Sequence, residues 1–550
     1  MDIPNSKEKP SLVSAGQGFS FLKTVSYKGR FLYSKYNPRK AVEAQIDSLE
    51  FLKGTLILVF SPVLWYGLDR LMEKLPEDCV VFAFEQDQEL YKLALEQLCN
   101  FPWQNKNVFL FNLNDTKKIE NSIKNLLSSG KIKRSLRIDF SAGVQFYKDI
   151  YDYNAKAVQD IIGTFWKNRI TLSRMGRLFS KNLFKNISLL DSSLFLDDVE
   201  KSVEKPILVL GAGEGLDTIQ WNGKKRSSIY ILAVDAAFIP LLHRGIIPDA
   251  IVGMESQAAI QKAYIGIKGT VEKTSITFFA DLSSRHEILR DNCFSNVFFA
   301  SRYADGIFFD RLMEQGLVKS YINPMGSVGL AAFYIATRLR KNKDVKIYTA
   351  GLDFSYSIGS THAKGTMAHN ARLASCTRII PVENYEAAFC PGSEKIMGKN
   401  GQSFVTTKNL FSYGCQFRTF FGNTENAFDV SQTGMDIGLE QGIFKYPESN
   451  KISTESSEHK EIQVKTENKK RAAEFIRKEK EQLEIIKQLM MFGEKSQFYD
   501  GTDLKLQLKK LLECREYLYL HFPDGYKLSM DTPFLKRIRA EIDFFLKCIS

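Results

Sequence analysis

No stretch of the chain approaches the roughly 18 consecutive apolar residues that a membrane-spanning helix needs, so no membrane partner is expected. Its eight cysteines, at 79, 99, 293, 376, 390, 415, 514 and 548, form no Cys-x-x-Cys pair. That spacing argues against a zinc ribbon or a disulfide framework and for free thiols in a reducing compartment. The opening MDIPNSKEKPSLVSAGQGF lacks the charged-then-apolar layout of a secretory signal, so a cytoplasmic protein is expected. There is no internal repeat and no nucleic-acid-binding signature, so nucleic acid is not an expected partner despite a net charge of +12. Histidine is scarce, with six in 550 residues.

A chain of this length, 44% hydrophobic, exceeds what one core holds and suggests about three domains. The expected class is α/β. Residues 1–195 read as a Rossmann-like N-terminal domain: strand 55–60, strand 79–87, a helix from Gln88 to Cys99, then strand 107–113. A dinucleotide or methyl-donor site would want Gly-x-Gly after the first strand, so that backbone can approach the cofactor. Here the corner is Phe60-Ser61-Pro62-Val63-Leu64-Trp65 with Gly67 alone, which favours a scaffold or acceptor-recognition role. Glu85-Gln86-Asp87 reads either as an acid-x-acid metal site or as surface carboxylates at a strand end. The basic block 165–186, with Lys167, Arg169, Arg174, Arg177, Lys181 and Lys185 and no acid, reads as a solvated helix face or a groove for phosphate.

Residues 196–446 carry short β-branched strands that each end in a polar corner, the way a parallel sheet presents a ligand site at its carboxyl edge. The first corner is Gly211-Ala212-Gly213-Glu214-Gly215, whose glycines would let backbone N–H groups approach a phosphate. Leu216 stands where the dinucleotide fingerprint requires glycine, so a nicotinamide cofactor fits poorly. Asp235 ends the next strand, either to accept from a ribose hydroxyl or a base amino group or to cap the following helix. Glu255 and Gln257 follow the strand after it. Asn323-Pro324-Met325-Gly326-Ser327 opens a small-residue helix, and strand IYTAG then delivers Gly351-Leu352-Asp353-Phe354. His362 follows in a loop rich in Gly and Ser, with His369 as a competitor for the role of base. Tyr356, Lys364 and Arg372 lie near enough in sequence to serve a departing phosphate. Residues 447–465 read as a polar linker and 466–550 as a helical domain, with apolar residues at three- and four-residue steps.

These phrases, in this order, resemble the motility accessory factor (Maf) glycosyltransferases, bacterial relatives of sialyltransferases that attach nonulosonic acids to flagellin. The likeness covers about 20–440, from the SKYNP opening onward, and is densest in 205–366. Maf proteins usually have Gly-x-Gly-Pro-Ser-Leu at the first corner; this chain departs from that by Gly-Ala-Gly-Glu-Gly-Leu-Asp. The resemblance implies a sialyltransferase-like central domain and an inverting glycosyltransferase. The donor would be a CMP-activated nonulosonic acid of pseudaminic or legionaminic type, the partner flagellin, with no metal or other cofactor required. It assigns Gly211, Gly213, Asp235, Gly326, Ser327, Gly351 and Asp353 to the nucleotide, and Glu255, Gln257 and Lys364 to the sugar or phosphate. His362 would be the base and Tyr356 a donor to the leaving phosphate. Two rival readings remain. One is an ATP- and Mg²⁺-dependent transferase resembling archaeal 6-hydroxymethylpterin diphosphokinase, with Asp235, Glu255 and Asp353 as metal ligands. The other is a non-catalytic flagellin-binding factor on a degenerate nucleotide fold.

Overall fold

Six consecutive buried residues at Thr55–Phe60 and six more at Val80–Glu85 mark strands covered on both faces, as parallel α/β sheets require. The computed structural model describes residues 9–16, 22–99, 107–265, 267, 276–290, 294–381, 392–446 and 458–549. Contacts group the chain into two units, Met1–Arg174 with Leu520–Ser529, and Met175–Tyr519 with Met530–Ser550.

In the first unit, β1 (Ser11–Ser14), β2 (Lys23–Tyr27) and β3 (Arg30–Phe31) form an antiparallel sheet. There follow α1 (Lys40–Asp47), β4 (Thr55–Phe60), α2 (Leu68–Lys74), β5 (Val80–Glu85), α3 (Gln88–Leu98), β6 (Val108–Asn112), α4 (Thr116–Ser128) and β7 (Arg134–Asp139). The four strands β4–β7 are parallel in the order β6-β5-β4-β7. Alternate residues feed opposite faces. Leu56, Leu58, Phe82 and Phe84 pack with Ile119, Ile123, Tyr151 and Val158, while Ile57, Val59 and Val81 pack with Val42, Trp65 and Leu71.

Helix α5 (Lys148–Ile187) runs unbroken for 40 residues and contains the whole basic block. The block is no single basic groove: Arg169 donates to the Phe522 carbonyl at 3.0 Å, and Arg177 pairs with Glu541 at 2.8 Å. The expected domain boundary at 195 differs from the grouping at Arg174/Met175. Buried Asn182 and Asn186 explain the difference. Asn182 donates to the carbonyls of Ser256 (3.2 Å) and Ser283 (3.1 Å), and Asn186 to those of Leu282 (2.9 Å) and Ser284 (2.8 Å).

The second unit continues with β8 (Leu194–Phe195), β9 (Ile207–Leu210), β10 (Tyr230–Val234), α6 (Asp235–His243), β11 (Ala250–Gly253), β12 (Thr277–Asp281), α7 (His286–Arg290), β13 (Ser295–Ser301), α8 (Ile307–Glu314) and β14 (Tyr321–Ile322). Then come α9 (Val328–Leu339), β15 (Ile347–Ala350), α10 (Met367–Ser375), the hairpin β16 (Glu394–Met397) and β17 (Ser403–Thr406), α11 (Lys408–Phe421), β18 (Ala427–Asp429) and β19 (Glu440–Gln441). The large sheet is parallel, ordered β14-β13-β12-β11-β10-β9-β15-β18-β19, with β8 also on β13. Successive strands run away from β9 in one direction, and the chain returns to its other side with β15. That reversal makes β9/β15 the switch point, where an open α/β sheet leaves a crevice at its carboxyl edge.

The C-terminal helices α12 (Glu458–Phe492), α13 (Leu504–Glu513) and α14 (Thr532–Ile549) group with this second unit. Glu479 on α12 is 1% exposed and takes Arg311 (2.7 Å), Arg515 (3.0 Å) and the Tyr517 hydroxyl (2.8 Å). Helix α12 begins at Glu458, inside the stretch expected as a linker; residues 447–457 lie outside the described residues. Among the described residues no helix is long and apolar enough to cross a membrane.

Candidate functional site

The N–H of Gly211 donates to the Ala350 carbonyl (2.8 Å) and that of Gly213 to the Gly351 carbonyl (2.9 Å), so the β9–β15 ladder continues past the strand ends. A β-carbon at Gly211 would overlap the Gly351 carbonyl oxygen and the Leu352 side chain; one at Gly213 would overlap the Asp353 carboxylate. Gly351 itself has φ +71°, a conformation glycine adopts without strain. The two glycine corners therefore interlock. Leu352 also fills the space a β-carbon on Gly329 would need, which brings the start of α9 to the same place. There Ser327 is the N-cap, its Oγ accepting from the Gly329 N–H at 3.2 Å, and Gly326 packs on the Tyr413 ring.

Asp353 is 2% exposed, accepts from the Gly215 N–H at 2.8 Å, and has its pKa pushed up to about 7 by burial. Its carboxylate braces the first corner from within. The expected contact with a nucleoside has no open face to use. Beneath it Lys399 pairs with Asp429, the side chains 5% and 2% exposed. Asp429 also accepts from the Ser431 N–H (2.9 Å), and Ser431 Oγ accepts from the Gly351 N–H (2.9 Å).

The histidine loop is fastened over the first corner. Ala363 N–H donates to the Ala212 carbonyl (2.8 Å) and Lys364 N–H to Asp217 (3.0 Å), while Arg244 bridges Asp217 and the Lys364 carbonyl. Glu214, an acid inside the glycine corner, has one carboxylate oxygen occupied by Ser357, through its N–H (3.3 Å) and hydroxyl (2.9 Å). Burial raises its pKa. His362 is half-buried, and its Nδ1 meets Thr361 Oγ1 (3.2 Å) and Arg372 Nη2 (3.4 Å). Burial, then Arg372 and His369, pull its pKa down to about 4. Tyr356 is 3% exposed and its backbone pairs with Val405. The expected donor to the phosphate is thus a buried residue held at an isolated β-bridge.

Asp235 lies elsewhere. It is 5% exposed, accepts from its own helix at the Ala236 N–H (2.8 Å), and burial pushes its pKa up to about 7. With Glu255, Tyr264, Phe278 and Arg285 it lines a cavity of about 10 Å³, the scale of a single water. This is the helix-start carboxylate reading, and a ribose or base has no room there. Glu255 accepts from the Gln257 N–H at 2.9 Å. No cluster of three His, Cys, Asp or Glu suited to a metal occurs among the described residues.

The carboxyl end of the first unit's sheet is spoken for. Its corner is left-handed at Ser61, Val63, Trp65 and Gly67 (φ +50°, +30°, +57° and +90°), and the Trp65 indole donates to the Ala94 carbonyl at 2.7 Å. Asp87 takes Lys28 (2.9 Å) and the hydroxyls of Tyr27 (3.1 Å) and Tyr147 (3.0 Å), and caps α3. The Glu85-Gln86-Asp87 carboxylates are structural in this arrangement.

A family model described as 6-hydroxymethylpterin diphosphokinase MptE-like matches residues 179–359. A Treponema pallidum (strain Nichols) protein, titled only as uncharacterized, is 31% identical over 566 residues, covering 100% of this chain and 96% of its own. The chain belongs to that protein's family. A solved MAf glycosyltransferase from Magnetospirillum magneticum AMB-1 shares the fold with a TM-score of 0.56, over 99% of this chain and 92% of that one, at 14% identity. This chain therefore has a Maf-like fold, with an MptE-like match over 179–359.

Sequence reasoning missed Ser431, the Lys399–Asp429 pair and the Arg244–Asp217 clamp. The last had a faint signal, since Asp217 sits two residues past the glycine corner. The others come from segments more than 45 residues beyond Asp353 and reach it only through the fold.

Proposed function

We propose that this protein is a cytoplasmic, inverting glycosyltransferase that moves a CMP-activated nonulosonic acid onto serine or threonine hydroxyls of flagellin, in support of flagellum assembly. The observation that carries the proposal is the meeting, at the β9/β15 switch point, of two glycine corners, the N-terminus of α9 and the histidine loop. Unpaired N–H groups at a helix start suit one phosphate, and Gly326 and Ser327 stand there. CMP leaves as a phosphate monoester, so the chemistry needs no metal to offset a diphosphate. The fold shared with the Magnetospirillum glycosyltransferase supports the same class.

In the reaction, the acceptor oxygen bonds to the anomeric carbon as the carbon–oxygen bond to phosphate breaks, and that electron pair stays on CMP. The acceptor proton passes to a base. Glu214 supplies it: Ser357 fixes one oxygen, and burial raises the carboxylate's proton affinity in the direction a general base needs. Lys364 offers charge to the phosphate or the sugar carboxylate.

The MptE-like match over 179–359 favours a second reading, an ATP-dependent diphosphoryl transferase. Calorimetry separates the two. The proposal expects CMP to bind without a divalent ion; ATP binding that requires Mg²⁺, with no CMP binding, would sink it. Intact mass of flagellin co-expressed with this protein and the sugar pathway tests the transfer, and an unmodified mass counts against it.

A further inference from the structure

We infer that Arg372 is a positioning residue that holds His362 as the neutral Nε2–H tautomer, making the imidazole a hydrogen-bond donor to a phosphate oxygen and not the base. The donor role rests on the proposed function; the tautomer does not. A guanidinium has five N–H donors and no acceptor. Arg372 Nη2, 3.4 Å from Nδ1, therefore meets a lone pair on that nitrogen, and the ring's one proton sits on Nε2. Thr361 Oγ1 lies 3.2 Å from the same nitrogen and is free to donate as well. The only lone pair of the neutral ring is thereby taken, and a base has to offer one to its substrate.

The surroundings hold the ring in this form. Arg372 is 6% exposed, and the loop is anchored just after the histidine, where the Ala363 N–H donates to the Ala212 carbonyl and the Lys364 N–H to Asp217. Of the forces on the ring, burial, Arg372 and His369 all oppose the imidazolium. Both charged or titratable neighbours lie on α10. A base with a pKa near 4 takes protons poorly at neutral pH, whereas a donor needs no change of protonation. During transfer His362 gains and loses nothing: it stabilises the charge gathering on the departing phosphate, while the acceptor proton goes to Glu214.

The test uses the full chain labelled with ¹⁵N-histidine; six histidines make the His362 signals assignable by subtraction with His362→Ala. Long-range ¹H–¹⁵N spectra should show the Nε2–H pattern, unchanged from pH 8 down to about 5. Arg372→Met should raise the apparent pKa by at least one unit toward the ordinary value of about 6.5 and populate the Nδ1–H form. Arg372→Lys keeps the charge and guards against a variant that fails to fold. An Nδ1–H pattern in the wild type, or titration unchanged in both variants, overturns the assignment. For the donor role, saturating CMP should shift the Nε2–H resonance, and CMP that binds without shifting it refutes that role. In transfer assays His362→Gln, which keeps a donor near Nε2 but takes no proton, should stay within about tenfold of wild type. His362→Ala should fall by about 10²-fold or more, the scale of losing one anion-stabilising donor. Equal loss in both variants restores the base. If CMP does not bind at all, the proposed function fails and the tautomer spectra still decide what Arg372 does.

Discussion

The Tyr33 hydroxyl donates to the carbonyl of Pro62 at 3.0 Å and, on its other side, accepts from the Leu64 N–H at 3.0 Å. A residue of the N-terminal segment thus occupies the corner after β4, where a Rossmann-like half would admit a phosphate. The first unit is expected to bind neither NAD nor S-adenosylmethionine, and calorimetry showing micromolar binding of either would contradict this. Tyr33→Phe should cost about 1–3 kcal/mol, since two buried backbone groups lose their partner, read as a lower urea midpoint at unchanged slope.

Much of the second unit was legible in the order of its strands. Each short β-branched run ends at Gly211, Asp235, Gly253 or Gly351, and a strand's length and chemistry are local properties. The glycine corners were legible as special, but their reason was not. Spacing suggested backbone approaching a phosphate, and the packing adds that each corner is the other's neighbour. Tyr33, Arg372 and Glu479 were invisible as partners because their contacts are set by topology, across 31 residues from Tyr33 to Leu64, 10 from Arg372 to His362 and 168 from Glu479 to Arg311. The 40-residue helix α5 was read only as a basic block, because its charge pattern masks the stripe of Tyr151, Val158 and Ile162.

Asp353 should behave as a brace. Asp353→Asn keeps an oxygen for the Gly215 N–H and should leave CMP affinity within a few-fold. Asp353→Ala orphans that buried N–H, costs about 1–3 kcal/mol, and should lose stability and CMP binding together. Equal loss of CMP binding in both variants, with stability intact in both, would instead make Asp353 a direct ligand contact.

Glu85 sets a pH dependence in the first unit. It accepts from Ser61 (2.9 Å) and Tyr151 (2.7 Å), and burial carries its pKa from 4.5 to about 7. Between those values the native chain holds a proton that the unfolded chain has lost, so this group's contribution to stability falls as pH rises from about 4.5 to about 7. Asp235 and Asp353 share that sign. His362, lowered to about 4, has the opposite one, its contribution rising between about 4 and 6.5. Comparing urea midpoints of wild type and Glu85→Gln from pH 5 to 7.5 isolates the carboxyl. Wild type should lose ground relative to the variant as pH rises, and parallel curves would refute the shift.

The Lys399–Asp429 pair should tolerate joint removal better than halving. Lys399→Met leaves a carboxylate buried without its cation, a change that typically costs about 3–5 kcal/mol. Adding Asp429→Asn removes the stranded charge and should recover most of that loss in denaturant titrations. A double variant no more stable than Lys399→Met alone would show that the pair's hydrogen bonds, not its charges, hold the corner.

Gly211 separates packing from ligand approach. Its missing β-carbon is the space taken by the Gly351 carbonyl and the Leu352 side chain, and a carbonyl inside a strand-end ladder has little freedom to retreat. Gly211→Ala should therefore destabilise the second unit without any ligand present, by about 1–3 kcal/mol as overpacked cores do. A glycine needed only for a phosphate predicts the reverse, normal stability with CMP binding lost. Thermal unfolding of the ligand-free variant decides the matter, because only the interlock of the two corners makes the alanine costly before any nucleotide arrives.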